Sequence, residues 1–209
     1  MMKTSEIVNA LEIMIPEAKC ELIYNKDYEL LIATVLSAQA TDIVVNKVTE
    51  ELFSKYSLDD ISKLDLNVIE DILRPLGTFR RKAVYLKAIA TSLLENHNKI
   101  VPNNRKYLES LPGVGHKTCN VVLSNLYDED CMAVDTHVAR VSKRLGLALE
   151  NDGVITIEQK LVKKFKGHSL KDLHHRLVLF GRYICIAKNP KCSSCLFQEI
   201  CKYNNKKLH

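Results

Sequence analysis

Apolar residues recur along this chain at intervals of three and four. Phe79, Ala83, Leu86, Ala90 and Leu93 make one such series, and Leu170, Leu173, Leu177, Phe180 and Ile184 make another. The pattern predicts further helices near 3–15, 27–38, 41–55, 64–73, 104–110, 116–127, 136–146 and 156–165. No stretch alternates apolar and polar residues between turn signals, so no strand is predicted. Only 7 glycines and 5 prolines interrupt 209 residues, which leaves the helices room to run. The expected fold class is all-α. Apolar runs such as Leu30–Leu36 are far too short to span a bilayer. The polar stretch after Met1 lacks the charged start, apolar core and cleavage site of a signal peptide.

Composition narrows this only a little. A hydrophobic share of 46% with 26% charged residues is that of an ordinary globule, and it excludes collagen-like, coiled-coil and disordered chains. The length fits one large domain or two small intimate ones. A monomer in the cytoplasm or nucleus is expected, where disulfides rarely persist. Seven cysteines therefore need another role. Cys20, Cys119 and Cys131 are scattered and read as small core residues, whereas Cys185, Cys192, Cys195 and Cys201 crowd into one short segment. Charge is uneven too. Residues 161–209 hold 11 Lys+Arg against 2 Asp+Glu, while residues 1–160 hold 19 against 23. The net charge of +5 thus hides a basic C-terminal quarter, which includes Lys163, Lys164, Lys166, Arg182, Lys202, Lys206 and Lys207. It points to a polyanion partner.

The cysteine spacing is C-x6-C-x2-C-x5-C. Four soft thiolates suit either tetrahedral zinc or an iron–sulfur cube. Zinc sites of this kind usually pair two short spacings, and only one is present. The wide outer arms favour [4Fe–4S], with zinc as the alternative. Between the first two cysteines lies a six-residue loop carrying Lys188 and Lys191, which suits phosphate contact or a plain solvated turn.

Leu111-Pro112-Gly113-Val114-Gly115-His116-Lys117-Thr118 stands before an apolar helix. Two glycines around Val114 allow a tight turn with positive φ. The turn points free backbone N–H groups outward from a helix start, an anion site that needs no side-chain charge. Lys117 sits just inside that helix, where the dipole and neighbouring N–H groups disfavour an ammonium. That makes it a candidate amine nucleophile; its plainer role is one more phosphate contact. Asp135, before the helix of Thr136-His137-Val138, is a natural N-cap. A capped carboxylate is also a rigidly held one, so the two roles are compatible. His137 falls in the first turn, within reach of a phosphate or the carboxylate.

Together these marks resemble the endonuclease III family of helix–hairpin–helix DNA glycosylase/lyases. The resemblance covers nearly the whole chain and rests on Leu36-Ser37-Ala38-Gln39-Ala40-Thr41-Asp42, the glycine hairpin, Val134-Asp135-Thr136-His137 and the cysteine tetrad. It implies two α domains flanking a DNA-binding cleft. One is a six-helix barrel near 21–129 with the hairpin. The other joins 1–20 to 130–209 and holds a [4Fe–4S] cluster on the four cysteines. It implies Lys117 and Asp135 as the catalytic pair, Gln39 as the residue entering the gap left by an extruded nucleotide, and Gly113, Val114, Gly115, His116 and Thr118 as DNA contacts. His116 stands where an arginine is common. Thr78 stands where the family's wedge loop commonly has leucine, which leaves Phe79 either to do the wedging or to pack in the core. The implied partner is double-stranded DNA with oxidised pyrimidines or abasic sites. The implied reaction is base removal and β-elimination through a Lys117 Schiff base, after the target nucleotide leaves the stack. Two rivals remain at this point: an adenine mismatch glycosylase of the same superfamily, and a non-catalytic iron–sulfur protein that binds DNA or senses redox state.

Overall fold

A computed structural model describes residues 2–204 and 206. Lys207, counted above in the basic quarter, lies outside the described residues. Among the described residues there are eleven α-helices, one 3₁₀ turn and no strand. None of these helices is long and apolar enough to cross a membrane. The chain divides into two compact units: Cys20–Tyr127, and Met1–Lys19 together with Asp128–His209.

The unit Cys20–Tyr127 contains α2 (Asp27–Leu36), α3 (Asp42–Lys55), α4 (Leu58–Lys63), α5 (Leu66–Leu73), α6 (Phe79–His97), α7 (Arg105–Ser110) and α8 (His116–Tyr127). Its centre is α2, in which every residue from Tyr28 to Leu36 is buried. A helix apolar on all sides must be surrounded, and α3, α6 and α8 all pack against it. Periodicity alone gives no sign of α4, which is six residues long. Its signal is a capping box: Ser57 N–H donates to Asp60 Oδ2 at 2.9 Å, and Asp60 N–H donates to Ser57 Oγ at 3.2 Å. The long α6 starts at Thr78 and ends at Asn98, both left-handed, with Lys99 N–H bonded back to the Leu93 carbonyl.

The other unit contains α1 (Thr4–Met14), α9 (Thr136–Arg144), α10 (Val154–Lys164), α11 (Leu170–Tyr183) and a 3₁₀ turn at Cys192–Ser194. Here α11 is the spine, with α9 and α1 against it, while α10 packs on α9. Gly181 permits the close crossing, because a Cβ there would stand 2.9 Å from His137 Cβ. Phe165, Phe180 and Phe197 fill the core, the last two edge to face at 5.5 Å.

Candidate active site

The hairpin joins α7 to α8 through residues 111–115. Gly113 has φ +81°, and a Cβ there would lie 2.6 Å from Tyr85 Cδ2 and 3.0 Å from Val35 Cγ1. The position is closed to other residues on both counts. Val114 is buried and its N–H donates to the Leu111 carbonyl at 3.1 Å, which closes the turn. The positive φ that the turn needs is at Gly113. Gly115 serves differently: the space where its Cβ would stand is empty. Its carbonyl accepts from Cys119 N–H at 2.9 Å, so it opens the helix and leaves the first N–H groups approachable.

Lys117 is the second residue of α8 and is exposed. Thr118 after it is half-buried. His116 leans back on the hairpin itself, with Nδ1 3.6 Å from Glu109 Oε1 of α7 and Nε2 3.3 Å from Asn120 Nδ2. The charges of Lys117 and Asp42 both reach Cys20, which the sequence suggests as a core residue and which is half-buried. Burial pushes up the thiol of Cys20, the Asp42 carboxylate adds to that rise, and the Lys117 charge opposes it.

Gln39 and Thr78 are both exposed and both left-handed, at φ 56° and 58°. Their turns adjoin, since a Cβ on Gly77 would sit 3.8 Å from the Gln39 carbonyl oxygen. A non-glycine residue in this region carries about 1–2 kcal/mol of strain, and such strain concentrates at functional sites. Phe79, the first residue of α6, belongs neither to the core nor to open solvent. It is half-buried between two guanidiniums, Arg74 at 5.6 Å and Arg80 at 5.2 Å from its ring centroid. That pinning leaves Thr78 as the tip of the turn.

Asp135 caps α9, with Oδ1 accepting from Val138 N–H at 2.8 Å. It and Lys117 belong to different units. His137, half-buried, keeps Nδ1 3.3 Å from an Arg140 guanidinium nitrogen. Arg140 also donates to the Cys185 and Gly181 carbonyls at 3.2 and 2.6 Å. Burial lowers its pKa, the neighbouring Arg144 adds to that, and Cys185 and Asp135 oppose it.

The tetrad stands in backbone with almost no regular structure. Side chains from α9 hold it instead. Arg144 donates to the carbonyls of Cys185, Ile186 and Ala187 at 3.4, 2.9 and 3.0 Å and lies 3.4 Å from Cys185 Sγ. Lys191 N–H returns to the Ile184 carbonyl at 3.0 Å, which closes the loop carrying the exposed Lys188 and Lys191. All four cysteines are free thiols. Burial raises Cys195, and Cys185, Cys201 and Cys192 raise it further; burial also raises Cys185, with Arg144 opposing and Cys201 adding. The charges of the other three cysteines thus reach Cys195. Yet among the described residues no three His, Cys, Asp or Glu side chains are arranged to hold a metal ion. Thiolates around one zinc stand only about 3.8 Å apart, as bonds of about 2.3 Å at tetrahedral angles require, and those on a cube stand wider. Arg140 and Arg144 are the site residues that sequence reasoning missed. Their only signal was the i, i+4 pairing of arginines on the helix that Asp135 starts.

Residues 32–167 match the model of the HhH-GPD superfamily of base excision DNA repair proteins. The chain is 43% identical over 205 residues to endonuclease III of Haemophilus influenzae, covering 98% of this chain and 97% of the relative. It is 40% identical over 195 residues to endonuclease III of Bacillus subtilis, covering 93% and 89%. Among solved structures it resembles a trapped endonuclease III–DNA covalent intermediate in an estranged-adenine complex, with TM-score 0.90 and 42% identity over 97% of each chain.

Proposed function

The chain belongs to the HhH-GPD superfamily of base excision DNA repair proteins and to its endonuclease III family, and from that membership we propose which of its residues do the work. The enzyme is a DNA N-glycosylase and AP lyase of base excision repair. The supporting observation is the placement of an exposed lysine as the second residue of the helix that a glycine hairpin starts. The hairpin N–H groups at Gly115 and beyond hold a backbone phosphate without reading sequence. Gln39 and Thr78, strained and exposed, occupy the space that an extruded nucleotide vacates. Damaged pyrimidines have lost aromatic stacking, so they leave the duplex at lower cost. The substrates are oxidised pyrimidines and abasic sites in double-stranded DNA.

The Lys117 amine, in its neutral form, attacks C1′ as the bond from C1′ to the base breaks, and the base leaves with its electron pair and takes up a proton. The amine proton passes to O4′ as the C1′–O4′ bond breaks and the sugar ring opens, which leaves an iminium between Nζ and C1′. Removal of a C2′ proton sends its electrons toward C3′ and expels the 3′ phosphate, which nicks the strand. Water then hydrolyses the imine and returns the amine. Asp135, held by its cap bond, accepts a proton or offsets cationic charge at the sugar. Cys185, Cys192, Cys195 and Cys201, free and spaced C-x6-C-x2-C-x5-C with wide outer arms, would hold a [4Fe–4S] cluster. The cluster supplies a rigid centre for the loop of Lys188 and Lys191, and both lysines face phosphates. The enzyme acts in the cytoplasm, on nucleoid DNA, as a monomer.

The test is borohydride reduction with a duplex that carries thymine glycol. Wild type should form a covalent adduct, Lys117→Ala none, and Asp135→Asn should slow formation by about 10²–10⁴-fold. An undiminished adduct from folded Lys117→Ala protein would overturn the lysine assignment.

A further inference from the structure

Beside the cluster segment lies a recess that the repair chemistry does not use. It measures about 380 Å³, the size of a small-ligand pocket, and is lined by Lys143, Arg144, Ala148, Glu150, Lys202 and Tyr203 among others. Three cations face one carboxylate. Among the described residues neither Lys143 nor Lys202 is within ion-pair distance of a carboxylate. Asp152, whose carboxyl senses the Lys143 charge, is already bound to Lys160 at 2.5 Å. The C-terminal end of α9 offers only about half a negative charge. A positive excess therefore remains in a concave, partly apolar setting, where fields concentrate.

The recess is also built. Gly146, at φ +70°, makes room for the stem of Lys202, since a Cβ there would stand 2.7 Å from Lys202 Cε. The backbone N–H of Lys202 donates to the Arg144 carbonyl at 2.7 Å. The Arg144 guanidinium stacks 3.9 Å from the Tyr203 ring centroid. Arg144 forms the shared wall, because its donors reach the Ile186 and Ala187 carbonyls at the root of the Lys188–Lys191 loop.

We propose that this recess is a phosphate site, and that its occupant is the DNA backbone flanking the lesion, gripped by Lys143 and Lys202 without base readout. The occupant rests on the DNA-repair reading above; the phosphate chemistry does not. The site extends the grip of the Lys188–Lys191 loop along the strand.

The test uses the iron-loaded full chain with Lys143→Gln and Lys202→Gln together. Affinity for a duplex of about 30 base pairs is measured by fluorescence anisotropy from about 50 to 400 mM KCl, where each lost phosphate contact lowers the salt slope by about one. The slope should fall by about two, with cluster absorbance and the single-turnover rate at saturating protein unchanged. In parallel, pyrophosphate is titrated by calorimetry into both proteins. Pyrophosphate binding lost in the variant with an unchanged DNA slope would keep the phosphate site and overturn DNA as its occupant. Unchanged slope and unchanged pyrophosphate titration would overturn the site itself. Wild type that binds pyrophosphate but no DNA would instead strike the repair reading.

Discussion

The hairpin and the loop of the four cysteines are both short stretches of irregular backbone, yet they are held by opposite means. The hairpin is held by shape. Gly113 fits against Tyr85 and Val35, Val114 is buried, and no charged side chain is needed. The cysteine loop is held by cationic side chains that donate to its carbonyls, and under the proposed function by ligation as well. Its only regular element is a three-residue 3₁₀ turn, and its carbonyls are gathered by Arg140 and Arg144. Packing fixes a turn when the neighbouring helices already stand in place. A loop with little apolar surface needs cross-links instead.

The contrast can be broken most forcefully at the metal. Cys192→Ser with Cys195→Ser should remove a contribution on the order of 10 kcal/mol, by analogy with structural four-ligand sites. Proteolysis should then cut within 185–201 while Cys20–Tyr127 stays protected. Equal cleavage in both units would show that the hairpin also depends on the cluster. Next in size is Gly113→Ala. Left-handed backbone costs about 1–2 kcal/mol, and overlap with Tyr85 adds about 1–3. Denaturant melting should record a loss of about 3 kcal/mol with iron content intact, and full stability would refute shape as the cause.

Acid sharpens the contrast from the other side. Burial lowers His175 of α11 from 6.5 to about 4, with the Lys171 charge adding to that and Asp172 opposing it. The unfolded chain takes up this proton near pH 6.5 and the folded chain only near 4. Stability from this residue is therefore complete above pH 6.5 and falls as pH drops from 6.5 to 4, by about 2–3 kcal/mol. His175→Leu should flatten that part of the profile, and an unchanged slope would reject the account. The smallest effect belongs to Phe79→Ala, about 1 kcal/mol in affinity for lesion-bearing duplex, because the ring braces Arg74 and Arg80 and does not form the tip.

Legibility in the sequence follows the same division. The hairpin could be read because its geometry demands glycine at one position. The long helices could be read because their apolar stripes repeat. Helix α4 could not, since six residues hold too little periodicity and only Ser57 and Asp60 mark it. Gln39 and Thr78 are left-handed without being glycines, so nothing in their identity announces the turn. Arg140 and Arg144 were hidden for a different reason. Their partners lie more than forty residues along the chain and are backbone carbonyls, which have no sequence identity. A tetrad announces itself by spacing, whereas the residues that hold its loop do not.

The account depends on one amine. The most direct measurement is peptide mass spectrometry of the borohydride-trapped protein–DNA adduct, digested to nucleotide remnants. The account predicts the added sugar mass on the Nζ of Lys117 and on no other lysine. The same mass on Lys82, Lys188 or the N-terminal amine, with Lys117 unmodified, would contradict it.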